Sequence, residues 1–109
     1  GAAQFIDFMK RAFGAEELGR VNDAEGKVKH AKVKIGDSVL ATGEFREGRS
    51  VPAFATTLYL YVPDVDAAYD QAIRAGAQSI HRPADQPYGD RNGGVTDAWG
   101  NRWFIATPL

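Results

Sequence analysis

No cysteine occurs in the 109 residues, which excludes disulfides, thiolate metal sites and a cysteine nucleophile and fits a reducing compartment. No apolar run reaches the length needed to span a bilayer, and no signal-peptide pattern is visible, so no membrane partner is expected and the expected location is cytoplasmic. An excess of one charge is missing too. The 13 Lys and Arg against 14 Asp and Glu leave a formal charge of −1, which supplies no electrostatic footprint for nucleic acid. Nor is there a Ser-His-Asp set, a phosphate-binding glycine loop or a pair of catalytic carboxylates at meaningful spacing. What remains is an ordinary apolar fraction of 44% in a length suited to one compact domain.

From Ala2 to Phe13 the apolar residues Phe5, Phe8, Met9, Ala12 and Phe13 form one stripe of an amphipathic helix, which Gly14 terminates. Glu16–Val21 reads as a short strand and 22–26 as a turn. Val28–Ile35 then alternates Lys29, Lys32 and Lys34 with Ala31, Val33 and Ile35, the pattern of a strand with one polar face. Gly36-Asp37 supplies a two-residue turn into Ser38–Glu44. Such a turn pairs Ile35 with Ser38, Lys32 with Ala41 and His30 with Gly43. One face then carries Ala31, Val33, Ile35, Leu40 and Thr42; the other carries His30, Lys32, Lys34, Val39 and Ala41, where a ligand can sit.

Phe45–Phe54 reads as an exposed linker. Beyond it come a strand over Thr56–Val62 and a helix capped by Asp64, with Val65, Ala68, Tyr69, Ala72 and Ile73 as its stripe, closed by Gly76. Strands near Gln78–Arg82, Gly93–Thr96 and Arg102–Thr107 follow, the last two joined at a tight Asp97–Asn101 corner. Arg74-Ala-Gly-Ala77 echoes Arg11-Ala-Phe-Gly-Ala15 at the same place relative to a helix end. The two halves, about 1–50 and 55–109, are therefore helix-βββ and βα-βββ: a faint internal repeat of one α+β module, with a concavity between the modules as the expected binding site.

Ala12-Phe-Gly-Ala-Glu16, Ile35-Gly-Asp-Ser-Val-Leu40, Tyr61-Val-Pro-Asp-Val-Asp66, Gly89-Asp-Arg91 and Asp97-Ala-Trp-Gly-Asn-Arg-Trp103 together resemble the glyoxalase / bleomycin-resistance / dioxygenase superfamily, also called vicinal oxygen chelate proteins. The match is closest to its PhnB-like branch and covers essentially the whole chain. The resemblance implies paired βαβββ modules forming a cup that binds a small molecule, a single domain over residues 1–109, and a homodimer. It also implies one more strand ahead of Gly1, so the first strand of module 1 is absent from this sequence.

Metal-dependent relatives place a His or Glu on the leading and last strand of each module. Carried over, the first of these positions lies outside the chain and the others fall on Ala41, Thr57 and Phe104. Ala and Phe cannot coordinate a metal and a lone Thr hydroxyl is a poor ligand, so no divalent-metal cofactor is expected. Simple binding, as in bleomycin-resistance proteins that sequester a drug, is then the leading expectation. A metal-dependent lyase or dioxygenase is the alternative, and whether the chain is an enzyme stays open.

On the central strand Thr57, Tyr59 and Tyr61 alternate with Leu58, Leu60 and Val62. If the leucines face the helices, the hydroxyls face the ligand; otherwise the tyrosines are core or interface aromatics. Phe104 and Arg102 share a face, Phe104 offering a flat apolar wall. His30 is the acid/base candidate, against a structural role, while His81 reads as surface. Arg91 offers a fork either to a ligand carboxylate or to an internal Asp. Tyr88 and Trp99 complete the expected ligand contacts with Lys32, Ala41, Thr57, Tyr59, Arg91, Arg102 and Phe104; Trp99 is equally suited to packing in the corner.

Overall fold

The computed structural model describes residues 1–43 and 55–109. It divides into two compact units, Gly1–Phe54 and Ala55–Leu109, each considered by itself. The expected linker over Phe45–Phe54 and the end of the third strand at Glu44 lie outside the described residues.

In the first unit, helix α1 (Ala2–Phe13) is followed by strands β1 (Glu16–Asn22), β2 (Val28–Ile35) and β3 (Ser38–Thr42), an antiparallel sheet in the order β1-β2-β3. The helix ends where expected: Gly14 takes φ 65, and its N–H donates to the Lys10 carbonyl. Only glycine adopts that left-handed conformation at little cost. The buried stripe is centred one position away from the expected one. Ala2, Ile6, Phe8, Met9 and Ala12 are buried, while Phe5 and Phe13 stay half-exposed. The buried face of the sheet carries Ala31, Val33 and Ile35 under this helix.

The β2–β3 register matches the two-residue turn, with Ile35 opposite Ser38 and Lys32 opposite Ala41. The β1–β2 pairing instead shifts twice, at Leu18 and at Lys29. An extra residue in one strand moves everything beyond it to the other face. For this reason Val28 is buried beside two consecutive exposed residues, Lys29 and His30.

The second unit has the order β4 (Thr57–Tyr61), α2 (Val65–Arg74), β5 (Gln78–Asp85), β6 (Asp90–Thr96) and β7 (Arg102–Pro108). Its sheet runs β4-β7-β6-β5, with β4 parallel to β7 and the other pairs antiparallel. Asp64 caps α2 by accepting from the Ala67 N–H at 3.2 Å. Val65, Tyr69 and Ala72 are buried beneath the helix, and Ile73, assigned to the stripe from sequence, is 36% exposed. Pro83 is accommodated because β5 is an edge strand with no partner on one side. The first unit is thus α-βββ and the second βα-βββ, which gives the described residues an α+β architecture of two helices and two sheets.

Candidate functional site

The two faces of the second sheet are told apart by its adjacent glycines. A Cβ on Gly93 would lie 3.1 Å from Tyr69 of α2, so this position lets the helix approach the strand closely. A Cβ on Gly94 would lie 3.0 Å from the Phe104 ring, so its bare backbone lets that ring pack close against the strand on the opposite face. The row Leu60, Ile105, Gly93 thus faces the helix, and the row Tyr59, Phe104, Gly94, His81 faces away from it. Leu58 and Leu60 are accordingly half-buried, while Thr57, Tyr59 and Tyr61 are exposed. The open face therefore carries Thr57, Tyr59, Tyr61, Arg102, Phe104, Asn92 and His81.

These residues form a connected network. The hydroxyls of Tyr59 and Tyr61 both donate to Asp90 Oδ2, at 2.7 and 3.1 Å. The Asn92 amide donates to the oxygens of Tyr59 and Tyr88, at 3.2 and 2.7 Å, and its carbonyl accepts from Gln86 Nε2 at 3.2 Å. Asn92 is 3% exposed, so it is the buried hub that fixes the phenol positions. Desolvation holds the Tyr59 phenol above its ordinary value; the Asn92 donor opposes this shift and the carboxylate of Asp90 adds to it. For Tyr61 the hydrogen bond to Asp90 is the main cause of a shift in the same direction. Both phenols therefore remain neutral donors through the physiological range.

Phe104 supplies the apolar part of the face. His81 stacks against it, with ring centroids 6.1 Å apart and planes at 30°. Nδ1 of His81 lies 3.0 Å from the Arg82 carbonyl; a carbonyl only accepts, so Nδ1 carries the proton and Nε2 presents a lone pair when the ring is neutral. Thr57 and Arg102 sit opposite each other in the next row.

Arg91 points to the helix side of the sheet. Its Nε and Nη2 donate to Asp66 at 3.0 and 2.9 Å, and Nη1 donates to Asp85 at 3.1 Å. These bonds, Asp66 first, raise the guanidinium pKa, and Arg91 in turn holds Asp66 below the usual carboxylate range. Its fork is occupied by the chain itself and ties α2 to the β5–β6 hairpin. Trp99 lies in the Asp97–Asn101 corner, 37% exposed, with its backbone N–H on Asp97 Oδ1 at 2.9 Å.

The remaining candidates belong to the first unit. His30, Lys32 and Ala41 are all exposed on the face of that sheet opposite its buried side, Lys32 directly across from Ala41. The positions expected from the resemblance to ligate a metal carry few donor atoms. Ala41 offers a methyl group, Phe104 a ring, and Thr57 one hydroxyl set a row away from Phe104. Such a set does not fit a divalent cation, which needs several N or O donors at one point. Among the described residues no three His, Asp or Glu side chains converge on such a point.

Sequence reasoning does not single out Asp90, Asn92 or Gln86, and it reads His81 as surface. The signal for two of them is parity. Once β6 begins at Asp90 rather than Gly93, Asp90 and Asn92 alternate onto the same face as Gly94.

Comparison with known proteins agrees with this architecture. A family model described as Glyoxalase/Bleomycin resistance protein/Dioxygenase superfamily matches residues 2–105. An uncharacterised protein of Mycobacterium bovis is 38% identical over 99% of this chain and 77% of its own length, and one of Mycobacterium tuberculosis is 38% identical over 99% and 69%. The crystal structure of TioX from Micromonospora sp. superposes with a TM-score of 0.80 at 28% identity, covering 98% of this chain and 89% of that one. A PhnB protein from Bacillus cereus shares the fold at a TM-score of 0.71 and 15% identity, covering 97% and 90%. Among the described residues no helix is long and apolar enough to cross a membrane.

Proposed function

The chain belongs to the Glyoxalase/Bleomycin resistance protein/Dioxygenase superfamily, and from that premise we propose that it is a PhnB-like, cytoplasmic, homodimeric protein that binds a small molecule without the superfamily's usual metal. Its concrete form is sequestration, as in a drug-resistance protein. The ligand rests against the open face of the second sheet, on Phe104, with its polar atoms directed to Tyr59, Tyr88 and Asp90. The observation that carries this reading is the Asn92-centred network beside Phe104. Asn92 holds the hydroxyls of Tyr59 and Tyr88, and Asp90 accepts from Tyr59 and Tyr61, so one buried amide and one carboxylate fix three solvent-open phenols beside an apolar ring.

The donor set at Ala41, Thr57 and Phe104 supports the metal-free part of the reading. Lewis-acid polarisation and dioxygen activation need a metal held by the protein, and these side chains supply no ligand field for one.

The test is a calorimetric titration of chelator-treated and untreated protein with a panel of planar aromatic compounds, alongside elemental analysis. Binding unaffected by chelation, and weakened at least tenfold, about 1.4 kcal/mol, by Phe104→Ala, is the expected result. Stoichiometric Zn, Ni, Fe or Mn, with turnover of a hemithioacetal or catechol that chelation abolishes, would establish the metal-dependent lyase or dioxygenase instead. His30 would then be the first acid/base residue to replace.

A further inference from the structure

We propose that the ligand of this face is a planar aromatic cation of the arylamidine class, its charged end seated on Asp90; this rests on the binding role proposed above. The network of the open face commits nearly all of its own hydrogen-bonding capacity. Both amide hydrogens of Asn92 are used, on Tyr59 and Tyr88, and its oxygen takes Gln86. The hydroxyl hydrogens of Tyr59 and Tyr61 both go to a single oxygen, Asp90 Oδ2. Asp90 Oδ1 accepts from no donor among the described residues. A carboxylate oxygen accepts up to two hydrogen bonds, so the unused capacity is that of a negatively charged acceptor.

The rings around it favour the same occupant. Tyr59, Tyr61 and Tyr88 are 45%, 57% and 66% exposed, so much of each side chain is open to a ligand. The Tyr59 and Tyr61 centroids are 5.3 Å apart with planes tilted by 55°, which leaves an angled aromatic surface beside the carboxylate. A cation there gains from ring quadrupoles and carboxylate together.

No cation of the described residues fills the place. Arg91, next in sequence, points to the other face and is held by Asp66 and Asp85. Arg102 shares the open face but lies on β7 at the far end from Pro108, the residue opposite Asp90, roughly 20 Å along the strand. The body of the ligand is set by the neighbouring row. Asp90 reaches Tyr59, and Tyr59 is directly opposite Phe104, whose ring packs closely against Gly94. Two fused rings carrying an amidinium bridge that span, with the hydroxyl hydrogen of Tyr88 available to any acceptor on the ligand.

The test uses two near-isosteric probes, 2-naphthamidine and the neutral 2-naphthamide, titrated into the protein while backbone and side-chain amide NMR shifts are followed. The amidine should bind at least tenfold tighter, shift Asn92 and Gly94, and lose that advantage as ionic strength rises. Asp90→Asn, its fold checked by circular dichroism, should abolish the preference, so that the amidine no longer binds tighter than naphthamide. If that variant fails to fold, the comparison of the two probes on the unaltered protein decides alone. Equal affinities with shifts at Asn92 and Gly94 would overturn the cation and leave the binding face standing. Shifts confined to other residues, or none with either probe, would overturn both. Equal affinities together with an Asp90→Asn change in oligomeric state would assign the place to a lysine of a second copy, and would likewise overturn the proposal.

Discussion

Asp97 accepts from four donors: the N–H groups of Trp99 and Asn101 on Oδ1, and Asn101 Nδ2 and Trp103 Nε1 on Oδ2. Asn101 Oδ1 in turn accepts from the Thr56 N–H at 3.1 Å, which ties the corner to the entry of β4. Because the site is buried, Asp97→Ala leaves several donors without water or partner and is expected to cost about 3 kcal/mol in urea unfolding. Asp97→Asn keeps one acceptor oxygen but turns an NH2 group toward Asn101 or Trp103, so it should fall between wild type and Ala. A loss below about 1 kcal/mol for Ala would contradict the role given to the corner.

The phenols give a second residue-scale prediction. Deprotonating Tyr61 would place two negative charges together, which is why its hydrogen bond to Asp90 raises its pKa from the ordinary 10.0. In Asp90→Asn the 295 nm tyrosinate titration should gain a component nearer that value. A raised folded-state pKa means a stabilisation fully present below the unfolded value and lost as pH rises through the folded one. The pair should therefore weaken the fold only in alkaline solution.

Among the elements, α1 and β1 are joined by charge. Glu17 takes Arg20 Nε at 2.7 Å and Lys10 Nζ at 2.9 Å, and these partners, Arg20 first, lower its carboxyl from 4.5 to about 2. A depressed carboxyl stabilises fully above its unfolded value. That contribution should persist above pH 4.5 and disappear as pH falls to about 2. Glu17→Gln should flatten this part of the stability–pH curve, and added salt should shrink the difference because the groups are solvated. An identical acid limb in wild type and variant would show that the pairing does not matter. At the start of α2, Asp64→Ala removes the cap on Ala67 and should cost about 1 kcal/mol of thermal or denaturant stability.

Elements whose cause is local are legible in the sequence itself. The α1 boundaries follow from an apolar stripe and Gly14, the β2–β3 register from Gly36-Asp37, and the α2 start from Asp64. What escapes a reading of the sequence depends on partners distant along the chain. The bulges at Leu18 and Lys29 are settled by which side chains the facing strand can bury, and the stripe of α1 turns onto Ile6 for a similar reason. Arg91 has two open roles in the sequence because only the folded chain brings Asp66, 25 positions away, to its fork. The site is half visible: alternation marks Tyr59 and Phe104. Asn92 and His81 acquire their places only through the longer β6 and the bare backbone of Gly94.

At the scale of the whole molecule, each unit covers one face of its sheet with a helix and leaves the other face polar or aromatic. The proposed homodimer predicts a sedimenting species at twice the chain mass in the micromolar range, and a species of single chain mass under those conditions would remove the dimer from the proposal. The central claim is that ligand binding rests on the chain's own aromatic and polar side chains without a metal. It is tested most directly by a crystal structure of chelator-treated protein bound to the tightest compound of the aromatic panel. The expected result is a ligand lying flat on Phe104 with a polar end at Asp90 and Tyr88 and no ion bridging it to the protein; a ligand held through a metal, or seated away from Phe104, would contradict the claim.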